Sequence, residues 1–167
     1  MNVDGFEIEH KLLIAMPDES LLQSASRSHI VQTYLLGEPL TTERVRARSY
    51  ADRDEYTHTT KIRLSAMKRI EQEETVTREM YEALLTRADP ARRSIEKDRY
   101  CLDYAGHTLE IDVFPFWQTY AILEIELERE DEEFRIPPEI RVIREVTDDP
   151  RYTNSALSLE IPDPSAV

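Results

Sequence analysis

Charged and apolar residues alternate with a period of two along most of the chain. Phe6 to Ile14 sets Glu7, Glu9 and Lys11 on one side, with Phe6, Ile8, Leu12 and Ile14 on the other. That is the signature of a half-buried strand. Gln32 to Leu36 reads as a second, short strand, Arg44 to Arg48 as a third and Thr57 to Ser65 as a fourth. Glu71 and Glu73 fall in a weaker fifth strand. A helix is expected next, capped by Thr77, with Met80, Leu84 and Ala88 at helical spacing. Lys97, Arg99 and Cys101 alternate with Tyr100, Leu102 and Tyr104, and Ala105-Gly106 turns tightly into Leu109 to Val113. Leu123 to Glu128 is the last clear strand. Beyond Pro137-Pro138 a short helix is expected, then a loop at Thr147 to Pro150, and a final short helix with Asn154 as its N-cap.

The charged positions change the picture. Glu7 with Glu9, Glu71 with Glu73, Glu110 with Asp112 and Glu124 with Glu126 are carboxylate pairs spaced i, i+2. Arg46 with Arg48, Lys61 with Arg63 and Lys97 with Arg99 are cation pairs with the same spacing. Such partners share a strand face roughly 6–7 Å apart. Each pair repels by about 2–3 kcal/mol at an effective dielectric near 20. A solvated face has no need of that pattern, whereas a site for a polyanion together with cations does. A closed antiparallel barrel, polar inside and apolar outside, reconciles these facts. Its apolar outer wall then needs covering by helices, loops or a second copy, so a homodimer is a reasonable expectation. A membrane barrel would need a leader and aromatic girdles, and neither stands out.

Composition narrows the function classes. The 167 residues suit a single domain spanning 1–167, and 21 basic against 34 acidic residues give a net charge of −13. That balance argues against general nucleic-acid binding. The lone Cys101 allows no internal disulfide, and no leader or membrane-spanning run is evident, so a cytoplasmic protein without membrane attachment is expected. With only Gly5, Gly37 and Gly106, no glycine-rich phosphate loop can be built, so phosphates would have to be bound by side chains. Cys101 reads as a packing residue, and His29, His58 and His107 as solvated. Phe116 and Trp117 read as a packed loop, and Tyr34 as either structural or ligand-facing.

Glu7-Ile8-Glu9-His10-Lys11 resembles the E-x-E-x-K signature of the CYTH superfamily, the triphosphate tunnel metalloenzymes. The rest of the chain continues the resemblance in order. Arg44 to Arg48 is similar to the paired-arginine strand, Lys61 to the next-strand lysine, and Arg69 to Glu73 to the R-x-E-x-E strand. Lys97-Asp98-Arg99-Tyr100, Glu110 to Phe114, Leu123 to Leu127 and Glu145 to Asn154 follow. The resemblance implies a mainly β (α+β) fold, an eight-stranded antiparallel closed barrel with a few helices packed outside and at the C-terminus. It implies Mg²⁺ or Mn²⁺ on Glu7, Glu9, Asp112, Glu124 and Glu126, because hard cations take oxygen ligands. Lys11, Arg46, Arg48, Lys61, Arg63, Lys97 and Arg99 would bind the phosphates. Lys97, Arg99 and Glu73 are the expected catalytic residues, with Lys97 or Arg99 assisting the leaving group.

The implied reaction is metal-dependent hydrolysis of a triphosphate, foremost inorganic tripolyphosphate, to pyrophosphate and phosphate. An organic triphosphate such as thiamine triphosphate or a nucleotide is the alternative substrate. Gln32-Thr33-Tyr34-Leu35 stands where the cyclase branch carries histidine-aromatic-aspartate, which disfavours adenylate cyclase activity. A non-catalytic polyphosphate-binding module is disfavoured by the number of carboxylates.

Overall fold

The computed structural model describes residues 8–64 and 69–166, leaving aside the side chains of Arg63 and Arg69. Nine strands form one antiparallel sheet. They are β1 (Ile8–Ala15), β2 (Ser26–Leu35), β3 (Thr41–Ser49), β4 (Asp54–Arg63), β5 (Arg69–Val76), β6 (Ile95–Tyr104), β7 (His107–Val113), β8 (Tyr120–Leu127) and β9 (Val142–Glu145). The order is β5-β4-β3-β2-β6-β7-β8-β1-β9, an open order with one strand more than expected. Helices α1 (Glu19–Ser24), α2 (Arg78–Leu85) and α3 (Asn154–Leu157) complete the chain, with a 3₁₀ turn at Pro150–Tyr152.

The described residues fall into two compact units. One draws on Met1–Ser28, Lys97–Tyr152 and Pro162–Val167, the other on His29–Glu96 and Thr153–Ile161.

In the first unit, alternation sorts residues cleanly between two faces. Leu12, Ile14, Leu109, Ile111, Ala121, Leu123, Ile125 and Leu127 bury one apolar face. Leu21 and Leu22 of α1 pack against it, as do Phe134, Ile136 and Ile140 from the segment after β8. The apolar wall is therefore covered by the chain itself. Each fully buried Leu or Ile contributes about 1.5–3 kcal/mol. The β6–β7 hairpin turns on Ala105 and Gly106, with φ of 49° and 84°. Two left-handed residues make a tight turn whose twist matches the flanking strands.

In the second unit the apolar face gathers Leu35, Val45 and Tyr81 with Ala47, Tyr56, Val76, Leu84 and Leu85. Helix α2 supplies Tyr81, Leu84 and Leu85, and Thr77 caps it by accepting from Met80 N at 3.1 Å.

Four local expectations need correction. The segment after Pro137-Pro138 is strand β9, which pairs with Leu12–Ile14 of β1, rather than a helix. Its sequence Val142-Ile143-Arg144-Glu145 starts with two β-branched residues, which favour an extended chain over a helix. The N-cap of α3 is Thr153, whose Oγ1 accepts from Ala156 N at 3.1 Å, with Asn154 one position inside. Ala88 lies past the end of α2 and bridges to Leu35. His58 and His107 are not solvated: each is mostly buried beside a carboxylate, His58 against Glu43 at 3.0 Å and His107 against Glu132 at 3.5 Å.

Candidate active site

Strand register builds the first unit's charged face. Glu9 stands opposite Glu126, and Lys11 opposite Glu124. Glu124 stands opposite Glu110, Arg99 opposite Asp112, and Cys101 opposite Glu110. Residues directly opposite share a face with Cβ atoms about 5 Å apart. Glu9, Lys11, Glu124, Glu126, Glu110, Asp112, Lys97 and Arg99 therefore lie together.

The face is graded from end to end. At one end Glu110, Glu126, Glu128, Glu132 and His107 line a cavity of about 350 Å³. At the other, the same alternation brings in Leu13, Ile122 and Phe114, all buried. Phe114 stacks with Phe116 at 5.0 Å and meets Trp117 edge-on at 5.5 Å; Tyr152 lies 5.9 Å beyond Trp117. Phe116 and Trp117 thus form the packed loop the sequence suggested.

Between these ends sits a buried charge cluster. Lys97 Nζ donates to Asp112 Oδ2 at 2.8 Å. Arg99 forks onto the same carboxylate, Nε to Oδ1 at 2.8 Å and Nη2 to Oδ2 at 3.0 Å, while its Nη1 lies 2.6 Å from Glu110 Oε2. Lys97 and Asp112 are 2% and 1% exposed, so the cluster is out of solvent, where ion pairs are strong and unpaired charge is costly. Burial works against the Asp112 charge, but Lys97 and Arg99 outweigh it and hold its carboxyl well below the usual range. Burial likewise opposes the Arg99 charge, and Asp112 and Glu110 outweigh it and raise its pKa. For Lys97 burial prevails and lowers the pKa, with Asp112 opposing. Lys11 bridges Glu124 at 3.4 Å and donates to the Tyr152 carbonyl at 3.3 Å.

The second unit carries the cation face. Register places Arg44 opposite Tyr34 and Thr59, Arg46 opposite Gln32 and Thr57, and Arg48 opposite Ile30 and Glu55. Lys61 stands opposite Glu71, and Thr59 opposite Glu73. Glu71 Oε1 lies 3.9 Å from both Arg44 Nη2 and Lys61 Nζ. Thr59 Oγ1 donates to Glu73 at 3.0 Å. Tyr34 is buried, accepts from Gln32 at 3.0 Å and lies under the Arg92 guanidinium at 4.9 Å.

The expected site residues thus divide between the units. Glu9, Lys11, Lys97, Arg99, Asp112, Glu124 and Glu126 share one face, and Arg46, Arg48, Lys61 and Glu73 share the other. Arg63 lies on β4, its side chain outside the described residues, as is all of Glu7. Arg44 was not singled out from the sequence, yet it lies on the same face and contacts the same carboxylate as Lys61. Its i−2 spacing from Arg46 carried that information.

The donor chemistry suits a hard cation. Glu9 and Glu126 face each other across β1 and β8, as do Glu110 and Glu124 across β7 and β8, and like charges so placed repel unless a cation joins them. Among the described residues no three acidic, histidine or cysteine side chains are arranged to hold a metal as they stand. Asp112 differs from the glutamates, because both its oxygens are already bonded to Lys97 and Arg99.

In each unit a charged face, with facing carboxylates in the first and a row of arginines in the second, lies opposite the apolar core. The comparisons identify the family. Two solved structures of NE1496, one described as a hypothetical protein and the other as an inorganic triphosphatase, are 31% and 30% identical to the chain, each with a TM-score of 0.63. The matches cover 94% and 95% of this chain and 100% and 97% of those. The PH1012 protein from Pyrococcus horikoshii OT3 shares the fold, at 16% identity and a TM-score of 0.50, over 75% of this chain and 81% of that one. No protein-family model and no curated protein matches the chain. The chain belongs to the CYTH superfamily of triphosphate tunnel metalloenzymes, alongside its short bacterial triphosphatases.

Proposed function

We propose that the protein is a metal-dependent triphosphatase that cleaves inorganic tripolyphosphate to pyrophosphate and phosphate. The observation that carries this reading is the full-length similarity to the inorganic triphosphatase NE1496. The segregation of acids and cations onto charged sheet faces supports it. Residues 1–167 act as one cytoplasmic domain of the tunnel family that the resemblance implies.

Glu9, Glu124 and Glu126, together with Glu7, would hold Mg²⁺ or Mn²⁺. The bound metal supplies charge neutralisation and orientation of the phosphate chain. Asp112 belongs to this set only where it exchanges a cation for the metal; in its observed bonding it anchors Lys97 and Arg99. Arg44, Arg46 and Lys61 bind phosphate oxygens, joined by Lys11, Arg63, Lys97 and Arg99, and Arg48 extends the same row of phosphate-binding cations. Guanidiniums fixed in advance stabilise charge as it builds on the leaving pyrophosphate. Glu73, held by Thr59, orients the cationic residues beside it.

Phosphate release from tripolyphosphate, pyrophosphate, thiamine triphosphate and ATP, with Mg²⁺ or Mn²⁺, tests the proposal. Turnover of tripolyphosphate at least about tenfold above every other substrate is expected. Tight tripolyphosphate binding without turnover would leave only a binding module.

A further inference from the structure

The arginine row of β3 is longer than a triphosphate needs. Arg44, Arg46 and Arg48 share one face. Their span of four residues is about 13 Å of strand. A triphosphate has only two P–O–P linkages, about the length of one i, i+2 interval. Lys61 and Glu71 mark the Arg44 end of the row.

The Arg48 end is separately built. The Arg48 guanidinium lies 4.8 Å over the Tyr50 ring, and that of Arg53 lies 4.1 Å from the same ring. Tyr50 N donates to the Arg53 carbonyl at 2.8 Å, which fixes the turn between β3 and β4. Asp52 and Glu55 hold Arg53 at 3.1 and 3.0 Å. Midway along the row, opposite Arg46, the Thr57 hydroxyl is buried and has no hydrogen-bond partner among the described residues. A buried hydroxyl left in that condition is costly unless a ligand oxygen satisfies it.

We infer that the β3–β4 hairpin carries an extended subsite for linear polyphosphate longer than three phosphates, with Arg48, Tyr50 and Arg53 binding the phosphates beyond the third. This rests on the triphosphatase reading for the remainder of the site. The hairpin sets the chain length that the protein prefers: further phosphates add further contacts along one strand.

The test compares tripolyphosphate with a chain of about ten phosphates. Binding is measured by calorimetry in EDTA, and phosphate release from tripolyphosphate is measured with metal. In the wild type the longer chain should bind at least about tenfold more tightly. Arg53→Gln and Tyr50→Leu should each reduce that advantage to about threefold or less, with tripolyphosphate hydrolysis within about twofold of wild type. Arg53→Lys, which keeps the charge, should restore part of the gain. Equal affinity for both lengths in the wild type, or an advantage that survives both substitutions, overturns the subsite. Neither result touches tripolyphosphate hydrolysis, so its loss would count against the parent reading instead.

Discussion

The two charged faces are written in the same alternating code yet are organised differently. In the first unit Lys97 and Arg99 are tied to carboxylates at 2.6–3.0 Å, with Lys97 and Asp112 out of solvent. In the second unit the contacts of Arg44 and Lys61 with Glu71 are 3.9 Å long, and Lys61 is a third exposed. Tight buried pairs fix geometry, and their loss is expensive. Long, half-exposed pairs contribute little by themselves and exchange readily for a better anion. One face is held by tight buried pairs, and the other carries longer, more exposed ones.

The largest break in this contrast is Asp112→Asn. It strands two cations in a buried site and should cost about 3–5 kcal/mol of stability. Thermal melting checks this, and a loss below about 1 kcal/mol would show that the cluster is not the scaffold. Arg44→Gln makes the opposite change. It should leave the melting temperature nearly unmoved and raise KM for tripolyphosphate about tenfold, since a charge-assisted contact contributes about 1.5–3 kcal/mol. Steady-state kinetics would expose a purely structural arginine by an unchanged KM.

The smallest effect is a pH dependence on the apolar side of the second unit, at Glu43. Its carboxyl accepts from Arg87 at 3.0 Å and lies 3.0 Å from the His58 ring. Partial burial would raise its pKa, but Arg87 and His58 outweigh that and lower it. A carboxyl lowered on folding stabilises the fold above its ordinary range and loses that contribution as pH falls through its folded value. Wild type should therefore exceed Glu43→Gln by about 1 kcal/mol at neutral pH, with the difference closing below the ordinary glutamate range. Denaturant melts across that range measure it, and a pH-independent difference would contradict it.

Most of the first unit's sheet was legible because one face of β1, β7 and β8 is buried, which forces apolar and charged residues to alternate, whereas β5 has no buried residue among those described and reads more weakly. Helix α1 was not, since Glu19–Ser24 is short and its cap residue Asp18 makes no side-chain cap bond. Strand β9 was masked by the preceding prolines and is specified by its pairing with β1. The charged residues were legible as a set but not in their partnerships. Spacing makes Asp112 one more candidate carboxylate; register supplies what spacing does not, its place opposite Arg99 with Lys97 on the same face. Arg44 stands in the same alternating run as Arg46 and Arg48, so its face follows from spacing while its contact with Glu71 does not.

The central claim is that carboxylates serve the metal and the β3–β4 cations serve the phosphates. The most direct measurement is paired calorimetry on Glu126→Gln and Arg44→Gln, titrating Mn²⁺ alone and then tripolyphosphate in EDTA. Glu126→Gln should weaken Mn²⁺ binding at least about tenfold and leave tripolyphosphate binding near wild type, and Arg44→Gln should do the reverse. Equal losses of both ligands in both variants would contradict the division.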